Sequence, residues 1–385
     1  MMRAESTPRA HSYIFSPVLL MLLLWVPQIV VHYFWAEAFD PFALSTWTAV
    51  VVGLTAFLAG AAAACLPIYA GEVDKEFSTR WALRPFMWIF PATILLVAYW
   101  MIQAAGTTNP VAIRQAIIWA KFDGSGTFDQ PIKVLLAGIA FCLYFLCDAH
   151  RMTRRQLWTL VTLGVIAAVL TTGRLQLLLF VIAAAAILSR RGIFRGVHLA
   201  GAGIVFVALF FGIAVVLGKG LEGTETLVEQ IAWNLRVYVF GSLSCFNDYM
   251  VNGYGGQLGP MMVPNFLREW MGILPREPVN PFVQVPFYCN TYTALFPIMH
   301  DFGWLGLVLM FSGLGFMHQR LFTHYVAVGS TARIYLFALS LYPMAMMIFE
   351  DAYFSSYGMW AILWLPLVFH VSAAVHVAVP ERTPV

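Results

Sequence analysis

A chain of 385 residues that is 61% hydrophobic and only 11% charged is not an ordinary soluble protein, since those run about 25% charged and 45–50% apolar. A mean hydropathy of +0.77 excludes disorder, and 15% aromatic residues, with 13 Trp and 31 Phe, suit helices that fill a bilayer and anchor at its interfaces. The net charge of +3 is small and scattered, and no basic run is interleaved with aromatics, so no nucleic-acid partner is expected.

A spanning helix needs roughly 20 apolar residues. In chain order, the apolar runs bounded by charge or turn residues are 17–35, 42–70, 85–105, 131–147, 157–172, 175–189, 199–218, 302–322, 334–349 and 357–379, which makes ten candidate spans. The expected fold is therefore an all-α polytopic membrane protein, with residues 1–385 forming one integral membrane domain. The first run follows Arg3 and Arg9 and precedes Ala36-Glu37-Ala38 as a signal peptide would. Its length exceeds the roughly 7–15 residues of a signal core, so it reads as an uncleaved anchor. Gly60-Ala61-Ala62-Ala63-Ala64 reads as a site of close helix packing. The fifth and sixth runs are short, and a helical hairpin turning at Thr171-Thr172-Gly173-Arg174 explains them better than one long helix carrying an arginine in mid-bilayer.

Lysine and arginine in short loops orient the spans. Arg3, Arg9, Lys75, Arg80, Arg84, Arg151, Arg154, Arg155, Arg190, Arg191, Arg195, Arg320, Arg333 and Arg382 fall on one side, 14 of the 22 basic residues, and that side is read as cytoplasmic with both termini on it. Two segments on the other side are too long to be connectors. Residues 106–130 carry Ile113, Ala116, Ile117 and Ala120 at helical spacing, with Arg114 and Lys121 off that stripe, and read as an interfacial helix. Residues 219–301 form the large outer loop, with an aromatic, part-polar stretch at 231–250 able to lie on the membrane. Cys245 and Cys289 both fall in it; a disulfide between them is open, with two reduced, buried thiols the expected state.

Hydrolase, dinucleotide and phosphate-loop motifs are missing, as is any metal-ligand spacing, so neither cofactor nor metal is expected. What stands out is arginine on the outer side. Arg174 sits at the hairpin turn and Arg236 inside a semi-apolar helix, where burial without an anion would be costly. Arg268 and Arg276 follow in a proline-rich loop. A guanidinium fork suits phosphate oxygens; the other reading pairs each arginine with an acid such as Glu225, Glu229, Glu269 or Glu277. If 290–306 were helical, Asn290, Thr293, Pro297 and Asp301 would share one stripe, a polar edge for sugar hydroxyls, with Tyr292 and Phe296 stacking on ring faces. His300 and Asp301 are candidates for taking a proton from an attacking hydroxyl, Asp301 being also a natural N-cap for a helix from Phe302. Glu350-Asp351 is a second acid pair.

These residues carry a resemblance. Thr171-Thr172-Gly173-Arg174, Tyr238-Val239-Phe240-Gly241 and, most specifically, Asn290-Thr291-Tyr292-Thr293 with Asp301-Phe302-Gly303-Trp304-Leu305-Gly306 resemble the T-G-R, Y-x-x-G, N-x-Y-T and D-F-G-x-x-G blocks of the Wzy-type O-antigen and exopolysaccharide repeat-unit polymerases. The resemblance implies an integral-membrane (GT-C-like) glycosyltransferase joining undecaprenyl-pyrophosphate-linked repeats at the periplasmic face of the bacterial inner membrane. Donor and acceptor would both be lipid-linked, and a chain-length regulator and a flippase would be partners. Arg174, Arg236, Arg268 and Arg276 would then bind pyrophosphate; Asn290, Tyr292, Thr293 and Tyr238 would hold glycan; and His300 or Asp301 would act as base, with Glu350 and Asp351 as the second candidates. An O-antigen ligase or a polysaccharide transporter are the alternative readings, the latter disfavoured by spans nearly free of charge.

Overall fold

The computed structural model describes residues 10–35, 39–65, 80–216, 226–254, 259–274, 280–327 and 330–370. The protein is mostly helical, at 77%. Three long helices come first, α1 (Pro17–Phe34), α2 (Leu44–Ala63) and α3 (Arg80–Ala105), and a shorter α4 (Pro110–Phe122) leads into α5 (Asp129–Leu146). Then come α6 (Arg154–Leu170), α7 (Arg174–Arg190) and α8 (Gly196–Val216). An irregular stretch holds α9 (Leu227–Asn234), a π-helical turn (Leu235–Phe240), α10 (Gly241–Asn252), α11 (Asn265–Trp270) and an antiparallel pair β1 (Val283–Gln284) and β2 (Tyr288–Cys289). The chain closes with α12 (Leu295–Ala327), α13 (Thr331–Met346) and α14 (Tyr357–Leu363), helical residues resuming after Trp364 as far as His370. Each of the ten apolar runs is helical over much of its length. Among the described residues, α1, α2, α3, α5 and α12 are long and apolar enough to cross a membrane, so the architecture is that of an all-α membrane protein.

Local chemistry explains the boundaries. Thr153 opens α6 with a reciprocal capping box to Gln156, and Asn109 opens α4 by accepting from the Val111 amide at 2.9 Å. Between α6 and α7 the chain reverses at Thr172, whose φ of 54° is left-handed, as the hairpin reading expects. At the other end of α7, Arg190 donates to the carbonyls of Tyr325 (2.6 Å) and Val326 (3.1 Å), tying that end to the end of α12. Helices α2 and α12 pack together, and their approach depends on two glycines. A Cβ on Gly60 would lie 1.9 Å from the Ser312 carbonyl oxygen, and one on Gly315 would lie 2.0 Å from that of Phe57. The small-residue stretch at Gly60 is thus a helix contact.

The irregular stretch is held by polar side chains from helix ends. Along one face of α1, Met21, Trp25, Gln28 and His32 are all buried. Gln28 donates to the Val239 carbonyl at 2.6 Å, and a His32 ring nitrogen bonds that of Phe240 at 3.0 Å. Both carbonyls belong to the π-turn, where the widened ring displaces the α-helical pairing. From α10, Asn247 accepts the Ala43 amide (2.9 Å) and the Thr46 hydroxyl (2.8 Å) at the start of α2.

Two expectations are corrected here. Cys245 and Cys289 are joined in a disulfide rather than left as thiols, which becomes possible because α10 and β2 pack together. Nor are residues 290–293 helical: they form no regular element after β2, with Thr291 bonded to Ser242 (3.1 Å), and the helix starts at Leu295. The polar stripe of Asn290, Thr293, Pro297 and Asp301 is therefore not formed.

Valine at Gly60 or Gly315 would drive α2 and α12 apart. Each substitution is expected to cost about 1–3 kcal/mol, the range for overpacking, read as a lowered Tm of the purified protein, while alanine at the exposed Leu44 leaves Tm unchanged.

Candidate functional site

A cleft of about 690 Å³ lies where four stretches of the chain meet. The end of α4 contributes Lys121; the loop around α11 contributes Met261, Pro264, Asn265 and Phe266; the irregular run after β2 contributes Asn290, Thr291 and Tyr292; and the turn between α13 and α14 contributes Glu350 and Asp351. Carboxamides, hydroxyls, two acids and an amine thus converge beside the rings of Tyr292 and Phe296. Asn290, Tyr292, Glu350 and Asp351, separate groups in the sequence, are brought together here.

The wall behind Tyr292 is an aromatic and polar cluster. Its ring stacks on Phe296 at 4.3 Å, and Phe296 also meets Tyr249 at 4.8 Å. The Tyr292 hydroxyl lies 2.6 Å from that of Tyr254 and 3.1 Å from the Pro281 carbonyl, while Tyr254 reaches Asp248 at 3.2 Å. Burial, and then the hydrogen bond to Tyr292, holds the Tyr254 phenol far above the usual tyrosine value; Tyr292 is pushed up to about 12, chiefly by burial. Both phenols stay protonated at neutral pH and act as hydrogen-bond groups, not as bases. At 1% exposure the Tyr292 ring is a packed wall, and Thr293 is fully buried outside the cleft.

Asp301 anchors the opposite rim. Its carboxylate accepts the backbone amides of Met261 at 2.8 Å and Met262 at 2.7 Å, and His300 Nδ1 lies 2.8 Å away. The carboxylate thus braces a loop distant in sequence rather than capping the helix that follows. That helix breaks two residues later at Gly303, where φ 60° and ψ −153° demand glycine. Neither His300 nor Asp301 lines the cleft. Asp351 Oδ1 similarly accepts the amides of Tyr353 (2.9 Å) and Phe354 (3.1 Å), holding the turn that forms the floor.

The arginines lie elsewhere. Arg174 is buried at the first residue of α7, where its charge adds to the positive end of the helix dipole. Arg236 is exposed, not buried, with its guanidinium 5.6 Å from the Phe39 ring and 5.4 Å from that of Phe287, two cation–π contacts to residues distant in sequence. Arg268 is buried with its guanidinium on two backbone carbonyls. Arg276 and the side chain of Tyr238 lie outside the described residues. Lys121, Asn265 and Asn280 line the cleft without having been singled out by the sequence. Lys121 showed only as a charge off the apolar stripe of α4, a signal that marks a free face but not what meets it. Among the described residues no group of three or more His, Cys, Asp or Glu side chains is placed to hold a metal. Compared with known protein families, curated proteins and solved structures, the chain matches none.

Asp301→Ala leaves two amides without their charged acceptor and is expected to destabilise the protein by about 2–3 kcal/mol, the range for hydrogen bonds to charged groups. Hydrogen exchange over residues 259–274 should quicken at least tenfold; unchanged exchange would show the brace to be idle. For Tyr292, a folded-state pKa above the free value means that its stabilising contribution is complete below pH 10 and is lost as pH rises toward 12. The Tm advantage of the native protein over Tyr292→Phe should shrink across that interval in a pH series.

Proposed function

We propose that the protein polymerises lipid-linked oligosaccharide repeats, transferring a glycan from undecaprenyl pyrophosphate to a hydroxyl of a second lipid-linked repeat at the periplasmic face of a bacterial inner membrane. The observation that carries this reading is the cleft, where Lys121, Glu350, Asn265, Asn280 and Asn290 converge beside Tyr292 and Phe296 in an apolar helical protein. Carboxamides and hydroxyls suit sugar hydroxyls, and an amine suits a phosphate oxygen. The motif resemblance supports the reading, since Asn290, Thr291 and Tyr292 of one block line the cleft and Asp301 of another braces its rim.

Helix length supports a membrane-level reaction. At 1.5 Å per residue, the 16 residues of α13 reach about 24 Å. That falls short of a hydrocarbon core of about 30 Å, so on this reading the turn that follows α13 lies below headgroup level, where a pyrophosphate on a polyprenyl tail would arrive. The disulfide supports the side: Cys245–Cys289 belongs in an oxidising compartment, and the cleft is built on the same stretch of chain. All ten apolar helices would cross, the short ones with an end turn drawn below headgroup level, and both termini would be cytoplasmic.

In the proposed reaction an acceptor hydroxyl attacks the anomeric carbon, the carbon–oxygen bond to phosphate breaks, and inversion follows. Glu350 takes the hydroxyl proton, because the Asp351 carboxylate is already spent on backbone amides and His300 and Asp301 stand outside the cleft. Lys121 meets the charge that develops on the departing pyrophosphate.

Deleting the gene should collapse a surface-glycan ladder to a single repeat; a ligase would instead lose every attached chain, and a transporter would leave polymerisation of supplied lipid-linked repeats intact. In the purified protein Glu350→Gln should lower polymerisation by about 10²–10⁴-fold, the range for a lost general base. A full ladder from Glu350→Gln would remove that residue as the base.

A further inference from the structure

The loop around α11 inverts the arrangement expected in water. Arg268 is 1% exposed, with Nε donating to the Val263 carbonyl at 3.2 Å and Nη1 to that of Leu274 at 3.1 Å. Around it Phe266 is 67% exposed, Trp270 83%, Met271 55% and Leu274 84%. In water that arrangement loses twice, because it desolvates a cation and hydrates four large apolar side chains. Against lipid both signs reverse. A guanidinium folded inward satisfies carbonyls that hydrocarbon could not, and the apolar side chains meet a medium like themselves.

The loop is also tied to the level at which apolar helices end. Asp301 in the opening turns of α12 holds the amides of Met261 and Met262, and the Tyr357 hydroxyl at the start of α14 donates to the Met262 carbonyl at 2.8 Å. Beyond the break at Gly303, α12 turns Leu305 (70% exposed) and Leu309 (62%) outward, the surface that lipid covers in a spanning helix. Tryptophan and phenylalanine are the side chains that settle at a bilayer interface.

We propose that Phe266, Trp270, Met271 and Leu274 form a wedge seated in the bilayer interface on the cleft side. Pro264, Asn265 and Phe266 line the cleft, so the stretch that enters lipid is also the rim of the site. A ligand with a lipid tail would then reach the cleft laterally, without leaving the membrane. The wedge requires only that the chain be in a bilayer, and it stands or falls independently of the glycan reaction.

The test uses full-length protein in phosphatidylcholine–phosphatidylglycerol nanodiscs, with or without brominated acyl chains, on a Cys65→Ser background that removes the exposed free thiol. An environment-sensitive fluorophore is placed at Leu274→Cys, at Trp270→Cys and, for comparison, at Ser356→Cys inside the cleft. Blue-shifted emission at 270 and 274, quenched by brominated lipid at least twofold more than at 356, is the expected result. Quenching at 270 and 274 no greater than at 356 overturns the proposal, as it would if the patch were covered by a protein partner instead. Because a label can disturb the seat it reports on, intrinsic fluorescence gives a second reading. The emission lost in Trp270→Phe should be the component that brominated lipid quenches, and an unquenched component would overturn the wedge.

Discussion

The carboxylate of Asp301 fixes two backbone amides of a loop some forty residues earlier in the chain, and the rest of the site depends on bonds of that kind. Among its described residues, the stretch between α8 and α12 has almost no regular hydrogen-bonding ladder of its own: two strands of two residues each and short helices. At the level of a bilayer, backbone groups left without partners cost several kcal/mol each. The solution is to let side chains at helix ends act as the missing ladder. Gln28 and His32 take the π-turn, Asn247 takes the start of α2, Asp301 takes Met261–Met262 and Tyr357 takes the Met262 carbonyl. An irregular loop becomes a fixed wall, and only a fixed wall can hold a cleft.

Unequal helix lengths supply the rest of the shape. Helices α2 and α12 lie close because Gly60 and Gly315 lack a Cβ, and α12 is long enough to reach past its break at Gly303 into the rim. By contrast α13 stops after 16 residues, and the chain turns at Asp351 before entering α14. The cleft is the volume left above that early turn. Its floor is set by where α13 stops, its walls by the Tyr292–Tyr254 hydrogen bond and the disulfide between α10 and β2.

Much of the frame is legible in the sequence because hydropathy acts locally: an apolar run of 16 or more residues becomes a helix whatever surrounds it. The turn at Thr171–Gly173, the helix at α4 and the packing at Gly60 could be read from equally local signals. Contacts between distant residues could not. The run from Asn290 to Thr293 has a helical spacing of polar residues but is not helical, tied as it is beside the hairpin, the bond to Ser242 and the disulfide. A semi-apolar sequence around Arg236 signals a need for a partner and is silent on which; the rings of Phe39 and Phe287, far off in sequence, are among those it meets. Lys121, in α4, and Glu350, in the turn after α13, lie more than two hundred residues apart, and no local periodicity announces that they face one cleft.

Scarcity of charge in this chain therefore has a second meaning. With 11% charged residues, each buried one must earn its desolvation, and near the cleft most do so by bracing backbone. Arg268 holds two carbonyls, Asp351 two amides and Asp301 two more. Those three were natural candidates for chemistry by residue type alone, yet a carboxylate whose oxygens accept amides is poorly disposed to accept a substrate proton, because protonation would give up both bonds. Removing the braces from consideration leaves Lys121 and Glu350 as the charged pair that lines the cleft beside three asparagines. Cation, carboxylate and carboxamides are the complement that transfer between phosphate-linked sugars requires, and on the proposed reading the chemistry passes from the arginines to that pair.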